Sequence, residues 1–281
     1  MPALHHRWQV AQQAELAAPD SWLGLSGLFW LEAGENAVGH AGNSTVWLPF
    51  GPDRLGSLWV DGSEVAWQPT PTSGVGIVGT GELIDERRQL RTDRDVAPSE
   101  VISGSLVLIV IEREGRLAAR VRNRDWAAGK QVAERTYYDY DPAWKIEAAW
   151  ESLAEPLTMT VPNMSGDFKQ VQVTQQAVFT VGGQAVTLLP MSVGDKEVFF
   201  VFRDRTSGRE TYGAGRFLKV PVATIETKAG PGGNGKICLD FNFAYNPPCA
   251  FTPFATCPLP PPENWLPFAV AAGEKQWVKA S

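Results

Sequence analysis

The chain has 281 residues, 44% hydrophobic and 20% charged, with a formal net charge of −6 at neutral pH. That length and balance suit a globular body with a sizeable core, and the negative charge argues against a nucleic-acid partner, which would need clustered Lys and Arg. No run of about 18 apolar residues marks a transmembrane helix, and MPALHHRWQVAQQAEL lacks the basic start and apolar core of a secretory signal, so no membrane partner and a cytoplasmic home with reduced thiols are expected.

In chain order, Leu4–Ala18 reads as a short peripheral helix ended by Pro19. SWLGLSGLFWLEAGENAVG keeps roughly helical apolar spacing, but Gly24 and Gly27 weaken a helix, and a buried, turn-rich segment is expected. From Ser44 the pattern becomes β. Ser57–Val60 and Glu64–Gln68 flank Asp61-Gly62-Ser63, a hairpin signal. Residues 71–80 and Arg88–Thr92 add short strands. Ser105–Glu112, apolar on both faces, reads as a central strand that turns through Glu114-Gly115 into Arg116–Asn123.

Apolar residues at Trp144, Ile146, Ala148 and Trp150 have period two, which favours a strand over a helix. A strand at Leu157–Val161 follows. Lys169–Val181 alternates and turns through Gly182-Gly183 into Gln184–Leu189. Glu197–Phe202 is a further buried strand. Thr206–Gly208 turns the chain toward Arg209–Tyr212 and Phe217–Val220, Ala229–Gly235 is a loop, and Lys236–Phe241 is the last clear strand. These elements predict a mainly β protein, an antiparallel barrel-like or sandwich domain. Composition marks no boundary, so residues 1–281 are expected as one domain, with 125–156 as a segment crossing between parts of the sheet.

The final stretch, Ile237–Glu274, holds all three cysteines and a dense run of prolines. It is too rich in proline to be regular and too apolar to stay in water, so an irregular strap pinned against the body is expected. Within it, Asp240, Asn242, Tyr245 and Asn246 form DFNxAYN, and Glu263-Asn264 follow a triple proline. Such side chains hold loops or orient a substrate. A second polar stretch, FRDRTSGRETYGAGRFL, gathers Arg203, Asp204, Arg205, Arg209, Glu210, Tyr212 and Arg216 around a turn. It reads either as a pocket lining or as a hairpin with a charged tip and cross-strand ion pairs.

Cys249 and Cys257 lie eight apart. Three fates compete: buried small hydrophobes, a pair that approaches and oxidises, or a metal site with Cys238. The metal reading is the weakest, because no CxxC is present and His5, His6 and His40 are far away in sequence. Arg120, Arg122 and Arg124 share one face of a strand, more in keeping with a solvated face than with an anion site. No GxSxG, HExxH or P-loop appears, and so few histidines argue against a His-centred triad.

Both polar stretches resemble the bacterial and archaeal family known as domain of unknown function 1684. The run DFNFAYNPPCAFTPFATCPLPPPENWLPFAVAAGE carries the strongest resemblance. FRDRTSGRETYGAGRFL matches the family pattern F-x-D-x-T-S-G-x-x-T-Y-x-x-G-R, and SWLGLSGLFWLEAGENAVG matches W-L-x-L-x-G-L-x-W-L-x-x-G. The resemblance spans nearly the whole chain. Phe243 stands where the family is associated with a basic residue. The resemblance implies a mostly β, cytoplasmic protein and supplies no reaction. It also implies that Asp204, Thr211, Tyr212, Gly215 and Arg216 belong together with Asp240, Asn242, Tyr245, Asn246, Cys249, Cys257, Glu263 and Asn264.

The expectation is therefore a pocket for a polar or anionic small molecule where segments 203–216 and 240–264 meet, acting without a metal. Arg216 would anchor an anion, with Asp204, Tyr245, Asn246 and Asn264 lining the site. Tyr212 and Asn242 would orient the ligand, and Asp240 or Glu263 would be the acid or base. Cys249 and Cys257 are a candidate redox pair. Two alternatives stand beside this: a flavin-binding, split-barrel-like protein, argued from fold class alone, and a structural or interaction protein in which the two motifs only clamp the fold.

Overall fold

The computed structural model describes residues 2–71, 76–77, 86–128, 131–227 and 234–279. They fall into two compact units, one of residues 15–131 and one of residues 1–14 with 132–281. The boundary near residue 131 lies inside the stretch expected to cross between parts of the sheet. The long helix α1, Pro2–Ala17, matches the predicted one. Among the described residues no helix is long and apolar enough to cross a membrane.

The unit of residues 15–131 contains β1 (Leu25–Trp30), β2 (Gly34–Gly39), β3 (Val46–Trp47), β4 (Gly56–Asp61), β5 (Glu64–Pro69), β6 (Gly76–Ile77), β7 (Arg88–Leu90), β8 (Glu100–Ser103), β9 (Leu106–Arg113) and β10 (Arg116–Asn123). They form two five-stranded sheets in the orders β1-β10-β9-β8-β6 and β3-β2-β4-β5-β7. The predicted central strand is central, and the Asp61 and Glu114-Gly115 hairpins form as expected. The segment expected to be turn-rich is instead two strands, β1 and β2. The helix-like spacing misled because β1 lies against β10 through an irregular register at Leu25–Gly27, which breaks simple alternation. Leu58, Trp67, Leu108, Val110 and Val121 fill its core. Arg122 and Arg124 pair with Asp20, and Arg124 also with Glu100, whereas Arg120, expected on a solvated face, is buried with its guanidinium over the Trp22 ring at 5.5 Å. The rest of the strand expected in 71–80 lies outside the described residues.

The other unit contains β11 (Lys145–Pro162), β12 (Phe168–Val181), β13 (Gln184–Leu188), β14 (Ser192–Val193), β15 (Glu197–Phe202), β16 (Arg216–Pro221), β17 (Glu226–Thr227) and β18 (Gly235–Asp240). One sheet has the order β13-β12-β11-β18-β17 and a second the order β14-β15-β16. The strands expected at Trp144–Trp150 and Leu157–Val161 are one long strand, interrupted only by a register shift between Ser152 and Leu157. No strand forms at Arg209–Tyr212. The loop expected at 229–235 lies largely outside the described residues. Trp150, Phe200, Phe202, Leu239 and Phe241 are fully buried between the sheets. Each such side chain contributes about 1.5–3 kcal/mol of transfer free energy.

The protein is thus mainly β, with sheets antiparallel except for the short parallel pair β2–β3, one N-terminal helix and an irregular proline-rich strap. Among the described residues the sheets are open. The strap contains three single 3₁₀ turns, Phe241–Phe243, Pro248–Ala250 and Pro262–Asn264. The first turns of α1 are drawn inward. His5 is buried and donates from Nε2 to the Asn242 carbonyl at 2.9 Å, and its ring and that of Trp8 pack on Phe243 at 5.3 and 5.2 Å. Phe243 therefore serves an aromatic contact at the place associated with a basic residue.

Candidate functional site

The two motif segments meet within the unit of residues 132–281, and most of their polar side chains point inward. The hairpin of β15 and β16 closes its ladder at the Phe202–Arg216 pair, so residues 203–215 form the loop between them. Asp204 folds that loop. Its Oδ1 accepts from Thr206 N–H at 2.8 Å and from the Thr206 hydroxyl at 2.6 Å, a local turn of the kind Asp favours. The Thr206 hydroxyl also meets that of Thr211 at 2.8 Å. Gly215, at φ +94, brings the chain back beside Phe202 and Pro260. A Cβ there would stand 2.5 Å from both the Phe202 carbonyl oxygen and a Pro260 ring carbon, so only glycine fits.

Arg216 lies at the centre. Its Nη2 donates to Asp204 Oδ2 at 2.8 Å and to the Val270 carbonyl at 2.9 Å, while Nη1 donates to the Ala272 carbonyl and, at 3.4 Å, to that of Glu274. Both charged side chains are 0% exposed. The expected role of Arg216 as an anion anchor is therefore corrected. Its two terminal nitrogens face four oxygens of the chain itself, while the buried Nε has no partner among the described residues, and the fork fastens residues 270–274 to the hairpin. Asp204, whose Oδ1 also accepts from Val270 N–H at 3.2 Å, shares that task.

The asparagines act in the same way. The strand β18 ends at Asp240, so Asp240 and Asn242 do not share a strand face. Asp240 instead caps the following 3₁₀ turn, its Oδ1 accepting from Asn242 N–H and Nδ2 at 3.2 and 2.9 Å. Asn242 is buried and mimics a strand neighbour, accepting from Asp141 N–H at 2.9 Å and donating to its carbonyl at 2.8 Å. Asn264 does so against Leu189, with a further donation to Val201 at 2.9 Å. Asn246 donates from Nδ2 to the Lys275 carbonyl. Tyr245 exchanges backbone hydrogen bonds with Phe217 and packs edge-on against its ring at 5.8 Å. Glu263 lies exposed in the turn Pro262–Asn264, apart from these groups.

A second buried ion pair escaped the sequence reading. Arg135 grips Glu274 through two hydrogen bonds of 2.8 and 2.6 Å, with side chains 5% and 0% exposed. Glu274 Oε2 also accepts from Asn246 N–H at 2.7 Å. The available signal was Glu274 itself, a lone carboxylate after the apolar AVAAG, since a charge in such a setting is buried only when paired. Nothing in ERTYYDYDP singles out Arg135.

The outer edge of the junction differs. There Tyr212, half-buried, donates its hydroxyl to the Cys249 carbonyl at 2.9 Å. The Cys249 amide donates to the sulfur of buried Cys257 at 3.3 Å. The neighbouring Cys257 thiol, more than any other group, draws the Cys249 pKa below the usual thiol value; burial opposes this, and the Tyr212 hydroxyl and the Cys249 backbone assist it. Burial first, and then the hydrogen bond with Cys249, pushes the Tyr212 phenol up. Cys238, also half-exposed, is shifted the other way by burial. Near this edge, burial and a hydrogen bond to Glu210 push Tyr138 up to about 12. Three of the expected residues thus stand together at an accessible place. Among the described residues no group of three His, Cys, Asp or Glu side chains is placed to hold a metal ion.

The sequence model of the family described as protein of unknown function (DUF1684) matches residues 130–275. The chain belongs to this family. The DUF1684 match takes in both motif segments, Arg135 and Glu274, while SWLGLSGLFWLEAGENAVG lies outside it. Among solved structures, the chain is similar to the uncharacterized protein from gene locus rrnAC0354 of Haloarcula marismortui, determined by solution NMR. The two are 31% identical, with a TM-score of 0.40, over 50% of this chain and 75% of that one. No functionally curated protein matches. In this chain the two motif segments are thus mostly buried pins, with Tyr212, Cys249 and Cys257 hydrogen-bonded together at their outer edge.

Proposed function

We propose that this protein handles a polar small molecule, without a metal, at the edge where segments 203–216 and 240–264 meet, and that Cys249 is its reacting group. The observation that carries this reading is the half-exposed Cys249 flanked by the Tyr212 hydroxyl and the Cys257 sulfur. A thiolate, not a thiol, is the nucleophile, and neighbours that favour the charged form raise its share at neutral pH. Tyr212 holds the Cys249 backbone through its carbonyl, and the buried pins beneath hold both residues in register. The ligand class is a polar molecule with an electrophilic centre.

Peptide mapping after brief treatment with iodoacetamide tests the reading. Cys249 should be alkylated about tenfold faster than Cys238, whose shift runs the opposite way. Intact mass after exposure to a panel of small polar electrophiles should then show single adducts at Cys249. The five buried pins Asp204, Arg216, Asn242, Asn246 and Asn264 favour a second reading, in which the signature only closes the fold. That reading predicts a Cys249 no more reactive than Cys238, and such a result would overturn the first.

A further inference from the structure

Cys257 is buried, and the proposed chemistry at Cys249 gives it no task beyond a hydrogen bond. Its position is nonetheless fixed from a direction independent of Cys249. Its carbonyl accepts from Met164 N–H at 3.0 Å, Pro258 bridges to Asn163, and Leu259 N–H donates to the Pro162 carbonyl at 2.7 Å. These contacts tie it to the turn between β11 and β12. Cys249 is held from the other side, through the turn Pro248–Ala250 and the Asn246 amide on Glu274. Between them the link is itself hydrogen-bonded, with Thr252 N–H on the Pro248 carbonyl and Phe254 N–H on the Thr252 hydroxyl, both at 3.3 Å. Two separately anchored segments thus bring the Cys257 sulfur to the Cys249 amide. The Cys257 sulfur lies 3.3 Å from the Cys249 amide, which places the two side chains at neighbouring points of the strap.

We infer that Cys249 and Cys257 form a two-electron couple that reduces hydroperoxides, with Cys249 as the attacking thiol and Cys257 as the resolving one. The inference rests on the reading of this edge as the reactive one, and it names the substrate class. The Cys249 thiolate attacks the outer peroxide oxygen. An S–O bond forms, the O–O bond breaks, and the leaving oxygen takes a proton from solvent to depart as water or an alcohol. Cys257 then attacks the Cys249 sulfur. An S–S bond forms, the S–O bond breaks, and the hydroxide leaves as water with the proton from Cys257. The two thiols lose two electrons and the peroxide gains them. A small dithiol, itself oxidised to a disulfide, returns the couple to its starting state by exchange. Half-exposure admits a peroxide to Cys249, while burial of Cys257 keeps the resolving thiol from reacting first.

The experiment treats reduced full-length protein with one equivalent of hydrogen peroxide, then with N-ethylmaleimide, and reads intact and peptide masses. The expected product has lost two hydrogen atoms, carries maleimide on Cys238 alone, and is restored by dithiothreitol. Cys257→Ser should stop at a sulfenic acid on Cys249 that dimedone traps. Cys249→Ser should lower peroxide consumption about tenfold or more. Cys257→Ala replaces the serine variant if the hydroxyl disturbs this buried position, with tryptophan fluorescence reporting the fold. If iodoacetamide labels Cys249 rapidly but peroxide leaves both thiols free, or links Cys249 to Cys238, the couple is refuted and the thiol site stands. If Cys249 resists both reagents, both proposals fall.

Discussion

Replacing Asp204 by Asn removes one charge from a fully buried pair while keeping the shape of the side chain. In the native protein Asp204 Oδ1 accepts from Thr206 and Val270, and Oδ2 faces Arg216 Nη2 at 2.8 Å. An Asn that keeps the first set turns its NH₂ toward the guanidinium and leaves a buried cation uncompensated. Breaking a buried pair in this way costs about 3–5 kcal/mol, a large share of the ~5–15 kcal/mol that holds a typical protein folded. For a unit of this size the expected fall in Tm is about 6–20 °C. Urea unfolding followed by fluorescence gives the loss, and hydrogen exchange should place it in peptides of residues 132–279. The double variant Asp204→Leu/Arg216→Met sharpens the reasoning. A self-contained buried pair is often replaced by apolar side chains without loss. Here the guanidinium also serves the carbonyls of Val270, Ala272 and Glu274. Each buried carbonyl left without a donor costs about 1–3 kcal/mol, so the double variant should stay at least ~3 kcal/mol below the wild type. Recovery of wild-type stability in the double variant, or a loss under ~1 kcal/mol in Asp204→Asn, would refute the pin.

Tyr212→Phe should shift the pH profile of Cys249 alkylation toward higher pH, because the hydroxyl that holds the Cys249 carbonyl and lowers the pKa of its thiol is gone; an unchanged profile would separate the two groups. The sign follows from the native shift: with the Cys249 pKa drawn down, alkylation in the wild type should reach its half-maximum below the pH of an ordinary cysteine, and a profile centred above that of Cys238 would contradict it. Gly215→Ala should cost about 2–5 kcal/mol, from a Cβ at positive φ and its collision with Phe202 and Pro260. Gly183→Ala, also at positive φ but with open space around it, serves as the control and should cost about 1–2 kcal/mol. Equal losses in chemical denaturation would show that crowding at Gly215 is unimportant.

Much of the fold was legible because it rests on local alternation. Val171, Val173, Ala177 and Phe179 face one side of β12, and the hairpin turns lie where Gly and Asp allow them. The two strands β1 and β2 were missed because glycines and an irregular register hide their period. The meeting of residues 203–216 with 240–264 was legible as a resemblance, but the direction of the side chains was not. Residue type alone cannot distinguish Arg216 bound to a ligand from Arg216 bound to carbonyls 54–58 residues later, since the fork suits either. Arg135 and Glu274 are 139 residues apart, and no local pattern links them. Cys249 and Cys257 are only eight apart, and their spacing left open the contact that two separate anchors create.

The aromatic docking of α1 bears on the order in which the chain can be completed. Residues 1–14 are made first, yet they belong with residues 132–281, and residues 15–131 make a unit of their own in between. His5 and Trp8 must wait for Phe243, and Arg216 for the carbonyls of residues 270–274. At ~5–20 residues per second of synthesis, the middle unit can close while the outer one remains open for on the order of ten seconds. During that interval the apolar faces of β11, β12 and β15 have no strap to cover them. Those faces stay open to water until residues 237–274 emerge.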